Sequence, residues 1–434
     1  MSEQLQIFFK KHHFQRFTIS SLTENILNDM KKGLGIDGED PDGACQPMIP
    51  VYGLLDEKPR NNKSFIVIDA GGINFRSALV HFNENGEARI SSLLKSSMPG
   101  IEKELSKEEF YNAIADKIDY LKDKADKIGF CFSYAMEMNE ENDGKVLVFS
   151  KEIKAPEVVG TFVGKELLAV LKKRGWKTVN KVVLLNDTVA ALLSGLCHST
   201  SESYSSCIGF VFGTGMNNAY IEAEDIPKIN DNGKKHIVVC ESGMYNNLLL
   251  STFDEMLDRD SVAPGESLLE KMCSGGYMGK LAYIIMKTAC EEHIFSGPFT
   301  ARFKKITELK AVDIDEFLRN PGNAETVLGA VAAEGCITDS KKLTDILTMV
   351  IYRTASIITA VLSATILKCR EGKSPDAPVA IVCNGSTFWK CHSLAETVKK
   401  LLYENLTGNS KAFFKIFKVE NDIMLGTALA AARG

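Results

Sequence analysis

The first half of the chain alternates short apolar runs with glycine-containing or polar turns, a pattern typical of β-strands joined by tight connections. Three such runs lie at residues 65–69 (FIVID), 77–82 (SALVHF) and 88–93 (ARISSL). Asn85-Gly86 separates the last two and is a pair that favours hairpin turns. The pattern therefore predicts three consecutive strands.

The period then changes to that of a helix. Residues 106–126 carry apolar side chains on one helical face, and S-x-x-E at their start has the spacing of a capping box. Residues 128–135 and 181–187 are predicted strands, and the helical run TVAALLSGL follows the second without a gap. Ahead of all these elements, residues 1–32 are predicted to be helical and residues 33–63 to form a long connection between two bodies.

The opening pattern returns at residue 207, where CIGFVFGTGMNNAYIEAE is again a strand, a glycine turn and a strand. When the two stretches are aligned, Gly72-Ile73-Asn74 matches Gly215-Met216-Asn217. An internal repeat of this kind predicts two similar α/β domains that face each other across a cleft. Ligands favour clefts between domains.

One stretch, residues 343–368, is apolar enough to compare with a membrane span. Arg353 and several Ser and Thr residues interrupt it, so a buried core helix is the preferred interpretation. The N-terminus has no apolar core of a secretory signal. We therefore expect a cytoplasmic protein with no membrane partner.

Composition narrows the class of protein further. The chain has 434 residues, a length that favours two domains, and 45% of them are hydrophobic and 25% charged. The net charge is −5 with both signs dispersed, which argues against a nucleic-acid partner. The 11 cysteines include no C-x-x-C pair, which favours a reducing compartment and disfavours zinc.

The two glycine turns are candidates for phosphate binding, because glycine lets backbone N–H groups approach an anion. The alternative is an ordinary pair of hairpin turns. A P-loop is excluded at residues 160–166, where the glycine spacing is one residue short, and Gly213-x-Gly215 lacks the third glycine of a dinucleotide fingerprint. The repetition of the turn, each time followed by Asn, favours phosphate binding.

The strand at 181–187 ends in Asn186-Asp187, directly before a helix. Either residue suits a helix N-cap. A carboxylate at the end of a strand in an α/β domain also faces the ligand cleft, where it can take a proton from a hydroxyl nucleophile. Similar polar residues follow other apolar runs and together suit a polyhydroxylated ligand: Ser133, Ser150, Lys151, Glu241 and Glu270.

Five segments, in this order and spacing, resemble the hexokinase family, the sugar kinases of the actin-like ATPase superfamily. They are IDAGGINFR (68–76), FSYAMEMNEENDGKVLVFSKEIKAPEVVG (132–160), LLNDTVAALLSG (184–195), GFVFGTGMNNAYIE (209–222) and APGESLLEKMCSGGYMGKL (263–281). The resemblance implies an α/β protein with the two-domain actin-like ATPase (ribonuclease H-like) fold and an active site in the interdomain cleft. It implies a small domain of residues 56–187 plus 421–434 and a large domain of residues 1–55 plus 188–420.

The resemblance also assigns roles to residues. Asp187 matches the general base that takes the proton of the sugar's 6-hydroxyl, and Lys151 and Arg76 are expected to help stabilise the transition state. The positions that match the sugar contacts are Ser133, Ser150, Lys151, Asn186, Asp187, Asn217, Glu241 and Glu270. The positions that match the ATP site are Asp69, Gly71, Gly72, Asn74, Gly213, Thr214, Gly215, Gly385 and Ser386, with Asp69 expected to bind Mg²⁺ through water.

Four departures from the family pattern are visible. Ile73 replaces a Thr of the first phosphate loop, and Asn384 replaces the Asp of an Asp-Gly-Ser turn. The stretch DIMLG, from Asp422 to Gly426, replaces a glycine- and serine-rich turn before the last helix, and Lys280 replaces a Glu. Because three of these changes lie on the nucleotide side, we expect altered donor affinity or preference.

The resulting hypothesis is ATP-dependent phosphorylation of a hexose, glucose first, at its 6-hydroxyl. The alternatives are a sugar-binding sensor without catalysis, a kinase that uses ADP or pyrophosphate, and a kinase that prefers mannose or fructose. The sequence leaves both a monomer and a homodimer open.

Overall fold

A computed structural model of the chain describes residues 1–55, 61–149, 153–198, 203–229, 234–406 and 412–434. Within these residues the strands are β1 Ile49–Val51, β2 Lys63–Gly71, β3 Asn74–Phe82, β4 Ala88–Ser97, β5 Lys127–Phe132, β6 Ala135–Met138, β7 Gly144–Val148, β8 Lys181–Leu185, β9 Ser206–Phe212, β10 Met216–Glu222, β11 His236–Val239, β12 Val379–Asn384 and β13 Phe414–Phe417. The α-helices are α1 Glu3–Lys11, α2 Ile19–Gly33, α3 Lys107–Ile118, α4 Val163–Lys173, α5 Asp187–His198, α6 Thr252–Arg259, α7 Leu268–Cys273, α8 Gly275–Glu291, α9 Gly297–Phe303, α10 Ala311–Arg319, α11 Val327–Glu334, α12 Ile337–Cys369, α13 Ser386–Lys390, α14 Leu394–Leu406 and α15 Asp422–Arg433.

Two mixed sheets organise the fold. One has the order β4-β3-β2-β5-β8, the other the order β1-β11-β10-β9-β12-β13, and β6 and β7 form a small third ribbon. In each large sheet an antiparallel hairpin, β2–β3 or β9–β10, has a parallel strand beside its first member, β5 or β12. The predicted internal repeat is therefore confirmed at the level of sheet topology.

Helices α5 and α15 pack against each other between the two sheets. Their side chains share one apolar cluster with both, including Val183 from the first sheet and Val382 from the second. Gly426 makes the crossing possible, because a Cβ at that position would lie 1.8 Å from the carbonyl oxygen of Ala190. Since both helices begin at an aspartate, Asp187 and Asp422, their N-terminal ends bring two carboxylates to the same region.

Helix α12 is the core helix that the apolar stretch predicted. Among the described residues it is the one helix long and apolar enough to cross a membrane. However, 83% of its most apolar 18-residue stretch is buried inside the protein. The charge of Arg353 is paired inside the protein, where it donates to Asp254 at 2.6 Å and to the carbonyl of Met272 at 3.2 Å. The guanidinium also lies 4.7 Å from the ring centroid of Phe14.

Some predicted boundaries were wrong. The N-terminal helical region is divided into α1 and α2, because Thr18 starts a second helix with its own capping box. The long connection contains β1, which pairs with β11 at the edge of the second sheet. The predicted helix at 106–126 keeps its capping box but ends at Ile118, followed by a single 3₁₀ turn. The predicted division into domains at 187/188 and 420/421 stays a prediction.

Candidate active site

A cavity of about 1080 Å³ lies between the two large sheets. It is lined by these residues that the sequence had proposed: Asp69, Gly71, Gly72, Asn74, Arg76, Ser133, Asn186, Asp187, Gly213, Thr214, Gly215, Asn217, Glu241 and Glu270. Ser150 and Lys151 lie outside the described residues. Gly385 and Ser386 are described but do not line the cavity.

Asn186 caps helix α5, whereas Asp187 lines the cavity. The Asn186 side chain accepts the backbone N–H of Thr188 at 2.8 Å, so Asn186 starts helix α5. The carboxylate of Asp187 is left to line the cavity. Burial, together with the charge of Asp69, raises the pKa of Asp187 to about 6, against hydrogen bonds from Thr188 and Ser133 that lower it. A carboxylate with such a pKa suits a general base near neutral pH.

Glu241 follows β11 and has a left-handed backbone, with φ of 55°. Its Oε1 accepts a hydrogen bond of 2.8 Å from the side-chain amide of Asn217. Burial raises the pKa of Glu241 to about 7, with smaller contributions from the charges of Asp187 and Glu270. A left-handed backbone and a raised pKa in one residue of a cleft make Glu241 a candidate functional residue.

Glu270 is held against the second glycine turn. Its Oε2 accepts the backbone N–H of Met216 at 3.0 Å. A Cβ on Gly215 would lie 2.7 Å from the same oxygen, so this glycine is required for the carboxylate to come close. Burial raises the pKa of Glu270 as well. The three carboxylates of Asp187, Glu241 and Glu270 thus share one cavity with Asn186 and Asn217.

The second glycine turn is also held by hydrogen bonds from helix α8. The N-terminal amides of α8 donate to it, Gly275 to the carbonyl of Gly213 at 2.9 Å and Gly276 to the carbonyl of Thr214 at 3.0 Å. These bonds direct the carbonyl oxygens of the turn toward α8. The side chain of Thr214 lines the cavity and is exposed to it.

The first glycine turn joins β2 to β3, and Gly72 has the positive φ of 57° that this turn needs. The hydroxyl of Tyr134 donates to its carbonyl at 2.7 Å. Next to the turn, Asp69 and Arg76 form an ion pair across the hairpin. Burial nevertheless raises the pKa of Asp69, since it outweighs the opposing charge of Arg76.

Lys95 is a cavity residue that the sequence did not identify. A bulge in β4, where Ser92 has φ of 54°, shifts the β3–β4 register by one residue. Lys95 is therefore opposite Arg76, where an unbroken register would have placed Leu94. Two cations directly across a strand pair repel each other, so their side-by-side position favours an anionic ligand.

Two of the departures from the family pattern contact each other. The Nδ2 of Asn384 donates to both carboxylate oxygens of Asp422 at 2.8 Å. The stretch from Asp422 to Gly426 forms the first turns of α15. Gly385 comes close to β9, since a Cβ there would lie 2.0 Å from the carbonyl of Phe212, which gives it a packing reason to be glycine.

The other two departures lie away from the cavity. Ile73 is 54% exposed in the first turn and is not among the lining residues of the cavity. The ammonium of Lys280 is 5.3 Å from the ring centroid of Tyr277 on the same helix. The substitution at Lys280 thus has a local partner, and nothing in the structure explains the one at Ile73.

The cavity fits a magnesium site in which the substrate supplies most of the ligands. Among the described residues no group of three or more His, Cys, Asp or Glu side chains could hold a metal ion. Mg²⁺ is commonly bound by one or two carboxylates together with substrate phosphates and water. The carboxylate of Asp69, which lines the cavity, offers such a ligand.

A family model described as hexokinase matches residues 4–197, and a second with the same description matches residues 207–433. Hexokinase-1 of Pongo abelii is 26% identical over 390 residues, which are 86% of this chain and 42% of that protein. Hexokinase-1 of Schizosaccharomyces pombe is 28% identical over 330 residues, 70% of this chain and 66% of that one. The chain thus spans about two fifths of the length of the mammalian relatives it matches.

Solved structures give the same result for the fold. The chain superposes on the hexokinase of Schistosoma mansoni complexed with glucose with a TM-score of 0.80, 22% identity and full coverage of both chains. It also resembles a ROK family glucokinase from Streptomyces griseus in complex with glucose and AMPPNP, with a TM-score of 0.51, 16% identity and coverage of 86% and 100%. The likeness confirms the predicted two-domain actin-like ATPase fold.

Proposed function

Because the chain belongs to the hexokinase family, we propose that it transfers the γ-phosphoryl group of ATP to the 6-hydroxyl of a hexose, glucose before other sugars. Asp187 is the general base in this proposal. The observation that supports it most is the environment of Asp187. Its carboxylate lies in the cavity between the two large sheets, and its pKa is raised to about 6.

The sugar would bind between the halves of the cleft. Ser133 follows β5 of the first sheet, whereas Asn217, Glu241 and Glu270 belong to the second sheet and the helices beside it. Carboxylate oxygens accept and side-chain amides both donate and accept, which suits vicinal hydroxyls. Because these groups are half-buried, a sugar that leaves one unpaired would lose affinity.

The donor phosphates would bind beside the sugar. Arg76 and Lys95 supply cations from β3 and β4, and Thr214 supplies a hydroxyl from the second turn. Asp69 would hold Mg²⁺ through water. The metal, when bound, would neutralise charge on the transferring phosphoryl group.

The chemistry needs one proton transfer from the protein. The 6-hydroxyl oxygen attacks the γ-phosphorus while Asp187 accepts its proton, and the bond from that phosphorus to the bridging oxygen breaks. ADP leaves with the electron pair of the broken bond. Arg76 stabilises the charge that develops on the phosphoryl oxygens, and Lys151 is proposed to act in the same way.

The test is the formation of glucose 6-phosphate by the purified protein with glucose, ATP and Mg²⁺. An Asp187→Ala variant is the control, and it should lose turnover. Turnover that survives this substitution would contradict Asp187 as the base. Turnover with ADP or pyrophosphate in place of ATP would reassign the donor.

A sugar sensor without catalysis is the second candidate. The carboxylate of Asp422, paired with Asn384 at the cavity, is the observation that favours it, because it adds negative charge where phosphates would bind. Glucose binding in calorimetry without turnover by any donor would favour the sensor over the kinase.

We also propose a cytoplasmic location. All 11 cysteines lie in the described parts of the chain and are free thiols. Most are buried, where thiols persist as small apolar side chains in a reducing compartment.

A further inference from the structure

A negative charge lies at the end of the cleft where the proposed function puts the phosphates. Asp422 is the first residue of α15 and is only 5% exposed. The residues that contact it, Asn384 and Ile423, both line the cavity. Its carboxylate is therefore one residue removed from the cavity surface.

The carboxylate is fixed in position by three hydrogen bonds. The amide of Asn384 donates to both of its oxygens at 2.8 Å, and the backbone N–H of Ile423 donates to Oδ1 at 2.8 Å. The N-terminal end of a helix attracts anions through its free N–H groups. At α15 the anion in this position is the carboxylate of Asp422 itself.

The surrounding charges decide what this carboxylate does to an incoming anion. Asp422 and Asp69 each raise the pKa of Asp187 through their charge, and Arg76 opposes Asp69 in its effect on Asp422. Three carboxylates therefore act on the same region as Arg76 and its neighbour Lys95. A metal-free triphosphate carries roughly two more negative charges than its Mg²⁺ complex, so it is repelled more strongly.

We propose that Asp422 is a specificity residue for the phosphoryl donor, which selects the magnesium complex of a nucleoside triphosphate over the metal-free form. The proposal rests on the proposed function, because it assumes that a triphosphate binds in this cavity. Asn384 is the positioning residue that holds the carboxylate in place.

The test measures binding and needs no turnover. A non-hydrolysable ATP analogue is titrated into glucose-saturated protein at pH 8, once with excess Mg²⁺ and once with a chelator. The variant Asp422→Asn keeps the size of the side chain and an oxygen for Asn384 and Ile423, but removes the charge. It should bind the metal-free analogue about tenfold more tightly and the magnesium complex less than about threefold more tightly.

Two further variants serve as controls. Asp313→Asn removes a carboxylate that caps α10, where it accepts the N–H of Lys310 at 2.7 Å, and does not line the cavity. It should leave both affinities unchanged. Asp422→Ser keeps a side chain suited to a helix start, so it replaces the amide variant should that variant fail to fold. Glucose affinity is measured in every variant as the check of folding.

The outcomes are told apart by how much each variant changes the affinity for the metal-free analogue relative to the magnesium complex. An equal gain for both forms of the analogue, or no gain in either Asp422 variant, would overturn the proposal. Absence of any nucleotide binding in the parent protein and in both variants would overturn it together with the proposed function. Charge-selective binding without phosphorylation of any sugar would refute the proposed function and leave the role of Asp422 supported.

Discussion

The proposed role of Asp187 as general base depends on its being deprotonated. Its raised pKa of about 6 means that the base form dominates above that pH and is lost as the pH falls through it. We therefore expect kcat, measured at saturating sugar so that the titration of Glu241 does not enter, to fall about tenfold per pH unit below about 6. An initial-rate profile from pH 5 to 8 measures this, and a rate that stays flat down to pH 5 would contradict the assignment.

The same burial makes Asp187 a cost to stability. Its folded pKa lies above the usual value of 3.8, so the stability linked to it is present at low pH and is lost as the pH rises through about 6. At pH 8 the variant Asp187→Asn should therefore gain about 1–2 kcal/mol in unfolding free energy while losing turnover. Urea denaturation at pH 8 and pH 5 tests the sign, because the gain should shrink to about half at pH 5 and vanish only below the unfolded pKa of 3.8. Asp116→Asn, at a side chain that is 71% exposed, is the matched control and should change neither quantity.

Glu241 gives a separate prediction for sugar affinity. Its pKa is raised to about 7, and sugar hydroxyls that donate to its carboxylate stabilise the ionised form. Glucose affinity should therefore rise between pH 6 and pH 8, and this dependence should be absent in Glu241→Gln. Calorimetry without nucleotide measures the dissociation constant directly. A pH dependence that persists in the variant would assign it to another group, such as Asp187 or Glu270.

At the scale of elements, local pattern predicted about half of the described strands and a few of the helices, but not how they meet. The apolar run at residues 65–69 predicted strand β2, and the capping box of Ser106 and Glu109 predicted the start of helix α3. Both signals are contained within a few neighbouring residues. The pairing of Asn384 with Asp422 spans 38 positions, and the place of Lys95 depends on one extra residue in β4. Both depend on tertiary register, which residue periodicity does not encode.

The crossing of α5 and α15 supports a prediction about packing. In Gly426→Ala the new Cβ would meet the carbonyl of Ala190 at 1.8 Å, so the helices must separate. A loss of about 1–3 kcal/mol in unfolding free energy is expected, as in other overpacked cores. Gly297→Ala, at a helix start where a Cβ meets nothing within 4 Å, is the matched control and should be neutral. Similar unfolding midpoints for the two variants would contradict the account of the crossing.

At the scale of the whole molecule, the cavity requires the two sheets to act together. Ser133 reaches it from the first sheet and Glu241 from the second, while α5 and α15 lie between both sheets at its base. A ligand that bonds to both halves favours arrangements in which they are close, and closure excludes water from the reacting phosphate. Sugar binding should then bring the halves together and stabilise the fold.

We therefore expect glucose to reduce the radius of gyration in small-angle X-ray scattering and to stabilise the protein by about 2.7 kcal/mol at a hundredfold excess over its dissociation constant. Glu241→Gln weakens contacts on one half only, so at a concentration that saturates it the compaction should be smaller than in the parent protein. An unchanged radius in the parent, with stabilisation intact, would mean that the sugar binds to an already closed cleft. In that case water would be excluded before the sugar arrives, and ATP hydrolysis without sugar should be equally slow.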